Sequence, residues 1–316
     1  MNLQLSNIIQ SCDAKSQACP AVSVIILSYG RPQYLREVLE SVLGQTHENL
    51  EVILIDNRSP KSPEIAQIAA SYPSVRFMPN SENLGFAAGM NQGVLQAAGQ
   101  YVLLSEDDIV LHPHCVEEFA NYAETGPNKG IASGILLNKR EGTVRCAGAT
   151  LKLGAVFRQS VWRQGELDFD DVGSPYQTDY VPGCMIFAET AYLRKLGPFR
   201  AEFFMYFEDT ELCLRVRSRI ESVMVVPSAK AWHFEPESAA ASDEIDFHRV
   251  KNFYALYVLH AHVRIWPQFF LRSILIPSFR SLFQDRRQFR ILLRAAVQTA
   301  RSFRALMADR RNRNKL

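Results

Sequence analysis

Three consecutive carboxylates, Glu106, Asp107 and Asp108, follow directly on the apolar run "YVLLS". A strand interior normally excludes such groups, because an unpaired charge out of water is costly. The trio therefore marks either a solvated acidic turn or the seat of a cation. In an extended segment alternate side chains share a face, which predicts that Glu106 and Asp108 point together and Asp107 points away. Two carboxylates on one face beside a nucleoside diphosphate are a usual setting for Mg2+ or Mn2+, which bridges the phosphates and offsets their charge. A second acidic pair, Glu208 and Asp209, stands where the aromatic stretch "FFMYF" gives way to the helical spacing of Leu212, Val216 and Ile220. Acids in a first helical turn commonly serve the macrodipole, worth roughly 0.3 to 1 kcal/mol, so this pair alone does not imply catalysis.

The elements that must position these groups alternate. "VSVIILSY" and "LEVILID" read as buried strands, "RPQYLREVLESVLGQ" as a helix with Pro32 near its start, and "PEIAQIAASY" as a second helix. "SVRFMP" follows as a short strand, then "GFAAGMNQGVLQAAG" as a helix and "QYVLLSE" as the strand that delivers the carboxylates. This order predicts an α/β fold with a mostly parallel sheet and helices on both faces, whose ligands sit beyond the carboxyl ends of the strands. At those ends lie Ser28 and Tyr29, then Asp56, Asn57, Arg58 and Ser59, then the trio. Asp56 suits a turn, and its carboxylate equally suits the imide N–H of uracil or thymine. Asn83 suits a helix cap, with Gly85 and Gly89 allowing close packing. The stretch is not G-x-G-x-x-G and does not follow the first strand, which disfavours a dinucleotide site. "DYVPGCMIF" reads as a strand bent at Pro182 and Gly183, with Gly183 expected on the acceptor side; Trp162 and Tyr180 fit either sugar stacking or the core.

The chain has 316 residues, 47% hydrophobic and 22% charged, enough for a large core. Its six cysteines form no C-x-x-C pair or zinc-finger spacing, and are expected to be reduced and mostly buried. The first residues lack a basic and apolar leader, so an intracellular protein is expected. The net charge of +2 hides an asymmetry: from Arg249 onward 15 Lys and Arg face 2 Asp and Glu, while the residues before it carry 20 against 31. The expected organisation is an N-terminal extension over 1–21, an α/β domain over 22–248 and a basic amphipathic helical tail over 249–316. Apolar side chains and arginines alternate in the tail at quasi-helical spacing, interrupted by Pro267 and Pro277, and no segment reaches the roughly 20 apolar residues of a spanning helix. An anionic membrane surface or the protein's own body would suit the apolar face; no nucleic-acid recognition motif accompanies the charge.

Taken in order, "VSVIILSYGRPQYLREVLESVLGQ", "VILIDNRS", "NLGFAAGMNQG", "LLSEDDIVLHP", "YVPGCMIFAETAYLRKLGPF" and "FFMYFEDTELCLRVR" resemble family 2 glycosyltransferases of the GT-A fold. The likeness is greatest to the bacterial rhamnosyltransferase-type branch, and it covers residues 22 to about 238. The resemblance implies a Rossmann-like nucleotide-binding half and an acceptor half. It matches Ser28 and Asp56, with Asn57 beside it, to the base pocket, and Asn83, Gly85 and Asn91 to the pyrophosphate side. Glu106, Asp107 and Asp108 match the donor and metal site, Asp108 being the direct ligand. His233 matches a histidine near the metal, although beside Trp232 and Phe234 it equally suits packing; as a ligand it would favour Mn2+ over Mg2+. Asp209 matches the general base, with Glu208 next to it, and Phe207 stands where the family usually has glycine.

Displacing a nucleoside diphosphate from a sugar needs charge stabilised on the leaving group and a base on the ring's opposite face, so two separated acidic sites fit an inverting transfer. The expected protein is thus a metal-dependent hexosyltransferase. Its donor would be dTDP-rhamnose or a UDP-sugar and its acceptor a glycan or lipid-linked glycan, with a peripheral station at the inner face of the cytoplasmic membrane; association into a homo-oligomer is left open. A nucleotidyltransferase is the alternative enzyme, but "SYGRPQYL" lacks its glycine-rich loop and lysine. A nucleotide-sugar binding protein without turnover is the alternative from another class.

Overall fold

The computed structural model describes residues 21–126, 130–167, 173–234 and 242–313. The expected N-terminal extension lies almost entirely outside the described residues. The apolar runs form buried strands and the periodic segments form the helices between them. In order these are β1 (Val22–Ser28), α1 (Pro32–Leu43), β2 (Leu50–Asp56), α2 (Ser62–Ala69), β3 (Val75–Pro79), α3 (Gly85–Gln96) and β4 (Tyr101–Glu106). In α1, Pro32 occupies the first turn, where its missing N–H costs nothing, and Leu35, Val38, Leu39 and Val42 bury one face. Within β1 the pleat sends Val22, Val24 and Ile26 to the core beneath α1 and α2, and Ile25 and Leu27 to the core beneath α3.

The second half continues with β5 (Ile109–Leu111), α4 (Cys115–Thr125), β6 (Gly130–Asn138), β7 (Val144–Cys146), the β8 (Ala149–Leu153) and β9 (Phe157–Val161) hairpin, and β10 (Tyr176–Gln177). Then come β11 (Met185–Glu189), α5 (Thr190–Leu196), α6 (Glu208–Arg217) and β12 (Ser222–His233). The main sheet runs β10-β12-β6-β11-β4-β1-β2-β3. β11 is antiparallel to both β4 and β6, and β6 is parallel to β12, so β12, β6, β4, β1, β2 and β3 all point one way. Their carboxyl ends therefore bring Ser28, Asp56, Glu106, Asn138 and His233 to one rim. The segment expected as a strand with a bend at Pro182 and Gly183 enters the sheet only at Met185.

The C-terminal part is helical: α7 (Asp243–His260), α8 (Trp266–Phe269), a wider π turn over Phe270–Leu275, α9 (Ile276–Gln284) and α10 (Arg286–Arg313). Pro277 does not break the run, because it falls in the first turn of α9 just after the π turn. α10 lies along α7 in the same direction, with Arg287 on Asp243 and Asp246 at one end and Arg310 on the Val258 carbonyl at the other. The boundary expected between 248 and 249 falls inside α7. Cys115, Cys146, Cys184 and Cys213 are free and buried.

Candidate active site

β4 ends at Glu106, and Asp107 and Asp108 form a turn before β5. The alternation expected for an extended segment does not apply there, and all three carboxylates face the Arg31 guanidinium. Arg31 Nη1 lies 3.7 Å from Glu106 and 3.1 Å from Asp107, and pairs with Asp108 as well. Burial opposes the arginine's charge, but Asp108, Asp107 and Glu106 outweigh it and hold the guanidinium protonated. Burial, then the charge of Asp108, pushes the Glu106 carboxyl up to about 8 against the pull of Arg31. Asp107 is anchored as a strand-end acceptor: its Oδ2 receives Ser28 Oγ at 2.8 Å and Tyr29 N–H at 2.9 Å. The antiparallel register of β5 with β12 sets His233 opposite Ile109, which brings its Nε2 to 3.2 Å from Asp108 Oδ2.

The donor set suits a divalent cation. Asp108 is 1% exposed, yet its Oδ1 has no hydrogen-bond partner among the described residues, and neither has His233 Nδ1. A buried carboxylate oxygen left over in this way is an acceptor in want of a cation. No group of three or more His, Cys, Asp or Glu side chains among the described residues is arranged to hold a metal by itself. The remaining ligands would have to come from a bound diphosphate and water, as is usual for magnesium-type sites.

The second acidic pair opens α6. Asp209 Oδ2 accepts from Tyr180 Oη at 2.7 Å and Gly183 N–H at 3.2 Å, and Oδ1 accepts from Thr210 N–H at 2.6 Å. Burial raises the Asp209 carboxyl above its usual range, and these donors work against that rise. Glu208 is buried, its Oε2 has no partner among the described residues, and burial with the charge of Asp209 keeps it well above the ordinary carboxylate range. Gly183 sits tightly: a Cβ there would lie 3.2 Å from Asp209 Cβ and 3.3 Å from the Phe86 ring, so either neighbour would have to give by a few tenths of an ångström. Tyr180 thus acts through its hydroxyl, and Trp162 is tied through Nε1 to Thr150.

Several residues expected at the nucleotide bond to other parts of the protein. Ser28 sits behind Asp107 and is fully buried. Asp56, 1% exposed, accepts from Ser59 N–H and so closes the turn after β2. Asn57 donates to Asn83 Oδ1 and the Gly85 carbonyl and accepts from Asn80 and Leu84, which locks the loop before α3. Asn91 bonds through both amide atoms to the Phe199 backbone. Gly85, at φ +76°, lets the Phe204 segment pass where a Cβ would lie 2.4 Å from the ring; the Phe204 carbonyl takes the Ala87 N–H at the start of α3.

Two cavities flank this arrangement. One, of about 400 Å³, is lined by Tyr29, Arg31, Asn57, Asn83, Gly85, Phe86, Glu106 and Asp107, and closed by Phe204, Met205 and the first turns of α7. The other, of about 520 Å³, is lined by Asn138, Arg145, Gln159, Gln164, Tyr180, Pro182, Cys184 and His233. Cys184 stands between the two acidic centres: burial, then the charges of Glu106, Asp108 and Asp209, hold its thiol well above its usual value. Two residues were not singled out in the sequence. Arg31 was foreshadowed only by being a cation three residues past a strand end. Asn252, fully buried on α7, donates to the carbonyls of Phe203, Met205 and Tyr206, and so holds the loop that leads into Glu208 and Asp209.

A mostly parallel sheet with acids gathered at one rim, opposite a second acidic centre, defines the GT-A class of nucleotide-sugar folds. Comparison with known proteins agrees. Residues 23–184 match the family model described as glycosyl transferase family 2, and the chain belongs to that family. It is 25% identical over 240 residues to a Mycobacterium tuberculosis N-acetylglucosaminyl-diphospho-decaprenol L-rhamnosyltransferase, covering 68% of this chain and 76% of that one. It is 32% identical over 112 residues to an uncharacterized glycosyltransferase of Rickettsia felis, covering 35% of this chain but 18% of the relative. In fold it is similar to GalNAc-T7 solved with UDP, GalNAc and Mn2+, with TM-score 0.64 and 14% identity over 90% of this chain and 58% of that one. The mannosyltransferase PcManGT of Pyrobaculum calidifontis, solved with GDP-Man and Mn2+, gives TM-score 0.53 and 14% identity over 94% and 86% of the two chains.

Proposed function

We propose that the protein is an inverting, metal-dependent glycosyltransferase. A nucleoside-diphosphate sugar occupies the cavity beside Tyr29, Arg31 and Glu106, and the acceptor hydroxyl enters from the cavity of Tyr180, Pro182 and His233. Asp108, with Glu106 and His233 beside it, would hold a divalent ion, Mn2+ or Mg2+. When bound, that ion would offset the charge of the departing diphosphate. Arg31, already among these carboxylates, is the chain's own cation for the same phosphates. Asp209 removes the acceptor proton: its hydrogen-bond donors Tyr180, Gly183 and Thr210 fix the carboxylate, while burial keeps it basic enough to take that proton. The observation that carries this reading is the cavity of about 520 Å³ lined by both Tyr180, which donates to Asp209, and His233, which pairs with Asp108, so that both acidic centres border one cleft.

The name of the mycobacterial relative supports a rhamnosyl donor such as dTDP-rhamnose and a lipid-linked sugar as acceptor; a UDP-sugar as the other donor and a station at the inner face of the cytoplasmic membrane in cell-surface polysaccharide synthesis belong to the same proposal. A thermal-shift panel of UDP-, dTDP- and GDP-sugars with Mn2+ or Mg2+ tests the donor assignment. Stabilisation by one nucleotide series that requires the ion is the expected result, and the absence of any ion-dependent shift rejects it.

A further inference from the structure

The C-terminal helices present a surface that sugar transfer does not use. Along the run from Trp266 to Gln284, Leu271, Leu275, Phe279 and Leu282 recur every three or four residues and are 45 to 69% exposed. Phe270 and Phe283 widen this stripe, and the Phe283 ring packs edge-on against Phe279, 5.2 Å between centroids. A contiguous exposed face of this kind marks a docking surface in a soluble-type fold. The exposed Arg272 and Arg280 lie beside it, and no Asp or Glu occurs between Asp246 and Asp285.

Beneath the stripe is an apolar cavity of about 290 Å³ enclosed by α7, the Trp266–Ile274 turns and α10. Phe270 and Phe303 line it and are themselves exposed. Two polar atoms there, Trp266 Nε1 and Thr299 Oγ1, are buried without a partner among the described residues, and Thr299 is 9% exposed. The cavity is thus shaped for a chain-like apolar group that carries a few oxygen atoms.

We propose that this face docks on an anionic lipid bilayer, with the stripe among the acyl chains, Arg272 and Arg280 at the headgroup phosphates, and one acyl chain entering the cavity. The charge pattern selects lipid over a second copy of the chain. A two-fold contact through this face would bring its arginines together with no carboxylate in the run to meet them, whereas lipid phosphates supply that charge. No helix of the described residues is long and apolar enough to cross a membrane, so the contact lies in the interface plane. This inference deepens the membrane station proposed above by naming the face that makes it, and its test needs no donor, acceptor or metal, so its failure would leave the sugar-transfer reading standing.

The test is sedimentation of the full chain with vesicles of phosphatidylcholine alone or with about one-third phosphatidylglycerol, at low and high salt. The expected result is binding to the anionic vesicles that weakens with salt and falls at least about tenfold in the double variant Phe279→Glu, Phe283→Glu. Both side chains are exposed, and an unchanged circular dichroism melt confirms that the variant is folded. Brominated acyl chains should quench a component of the tryptophan fluorescence that is missing from Trp266→Phe. Equal binding by the double variant, indifference to phosphatidylglycerol, or an unquenched Trp266 overturns the proposal. So does a dimer of the unmodified chain that the double variant splits.

Discussion

Glu106, Asp107 and Asp108 are gathered around a guanidinium, whereas Asp209 meets only neutral donors, the Tyr180 hydroxyl and the N–H groups of Gly183 and Thr210. The contrast separates two ways of keeping buried carboxylates. A cluster of three needs positive charge, and leaves Asp108 Oδ1 over for more of it. A carboxylate held by hydrogen bonds alone keeps its affinity for a proton. On the proposed reading, the first centre exchanges cations and the second exchanges a proton.

The largest way to break this contrast is Asp209→Asn, which preserves shape but removes the base. Turnover should fall by about 10²- to 10⁴-fold with the fold intact, as measured by sugar transfer and by thermal melting. An unchanged rate would return the acid pair to a helix-capping role. Next comes Arg31→Ala, which leaves three crowded carboxylates without their cation. The ion-free protein should lose about 2 to 3 kcal/mol of stability and regain most of it with Mn2+, a gain much larger than in the unmodified chain. Equal metal responses would show that Arg31 and the ion do not share the site.

Two residues past Asp209 in the first turn of α6, Glu211 is a buried acid kept in another way. Burial opposes its charge, but Arg215 and His260 hold the carboxyl well below the usual range. Because its folded value lies below its unfolded one, it stabilises the protein above the ordinary carboxylate range, and that contribution is lost as the solution is acidified below about pH 4.5. Glu211→Gln should flatten this acid limb in unfolding curves measured against pH. Asn252→Ala leaves the carbonyls of Phe203, Met205 and Tyr206 short of a donor and should cost about 1 to 3 kcal/mol. The smallest effect is expected from Tyr180→Phe. Losing a donor to the ionised Asp209 raises its pKa, so the acidic limb of the rate profile should move up by about one pH unit.

Local pattern made much of the frame legible. Apolar runs and 3.6-residue spacing gave β1 to β4 and α1 to α3 nearly to their ends, and the strand-end rule put Asp56 and the acidic trio on one rim. What stayed hidden depends on partners distant in the chain. Ser28 meets Asp107 across 79 residues and Asn91 meets Phe199 across 108, protein partners that no local pattern announces. The orientation of Asp107 was misread because alternation assumes extended backbone through Asp108, whereas β4 ends at Glu106 and Asp107 and Asp108 turn. Phe207 shows the opposite case. It stands where the family usually has glycine and adopts φ 65°, ψ 0°, a left-handed conformation that glycine takes freely. Its ring packs edge-on against Phe157 and obliquely against Phe253, so burial offsets backbone strain that no local rule would reveal.

The most direct test of the division between the two centres is calorimetric titration with UDP and with dTDP, with and without Mn2+, on the unmodified chain, Asp108→Asn and Asp209→Asn. The account predicts that one of these nucleotides binds more tightly with the ion, that Asp108→Asn abolishes that gain, and that Asp209→Asn leaves it intact. An Asp108→Asn protein that keeps the gain, or an Asp209→Asn protein that loses it equally, would contradict the account.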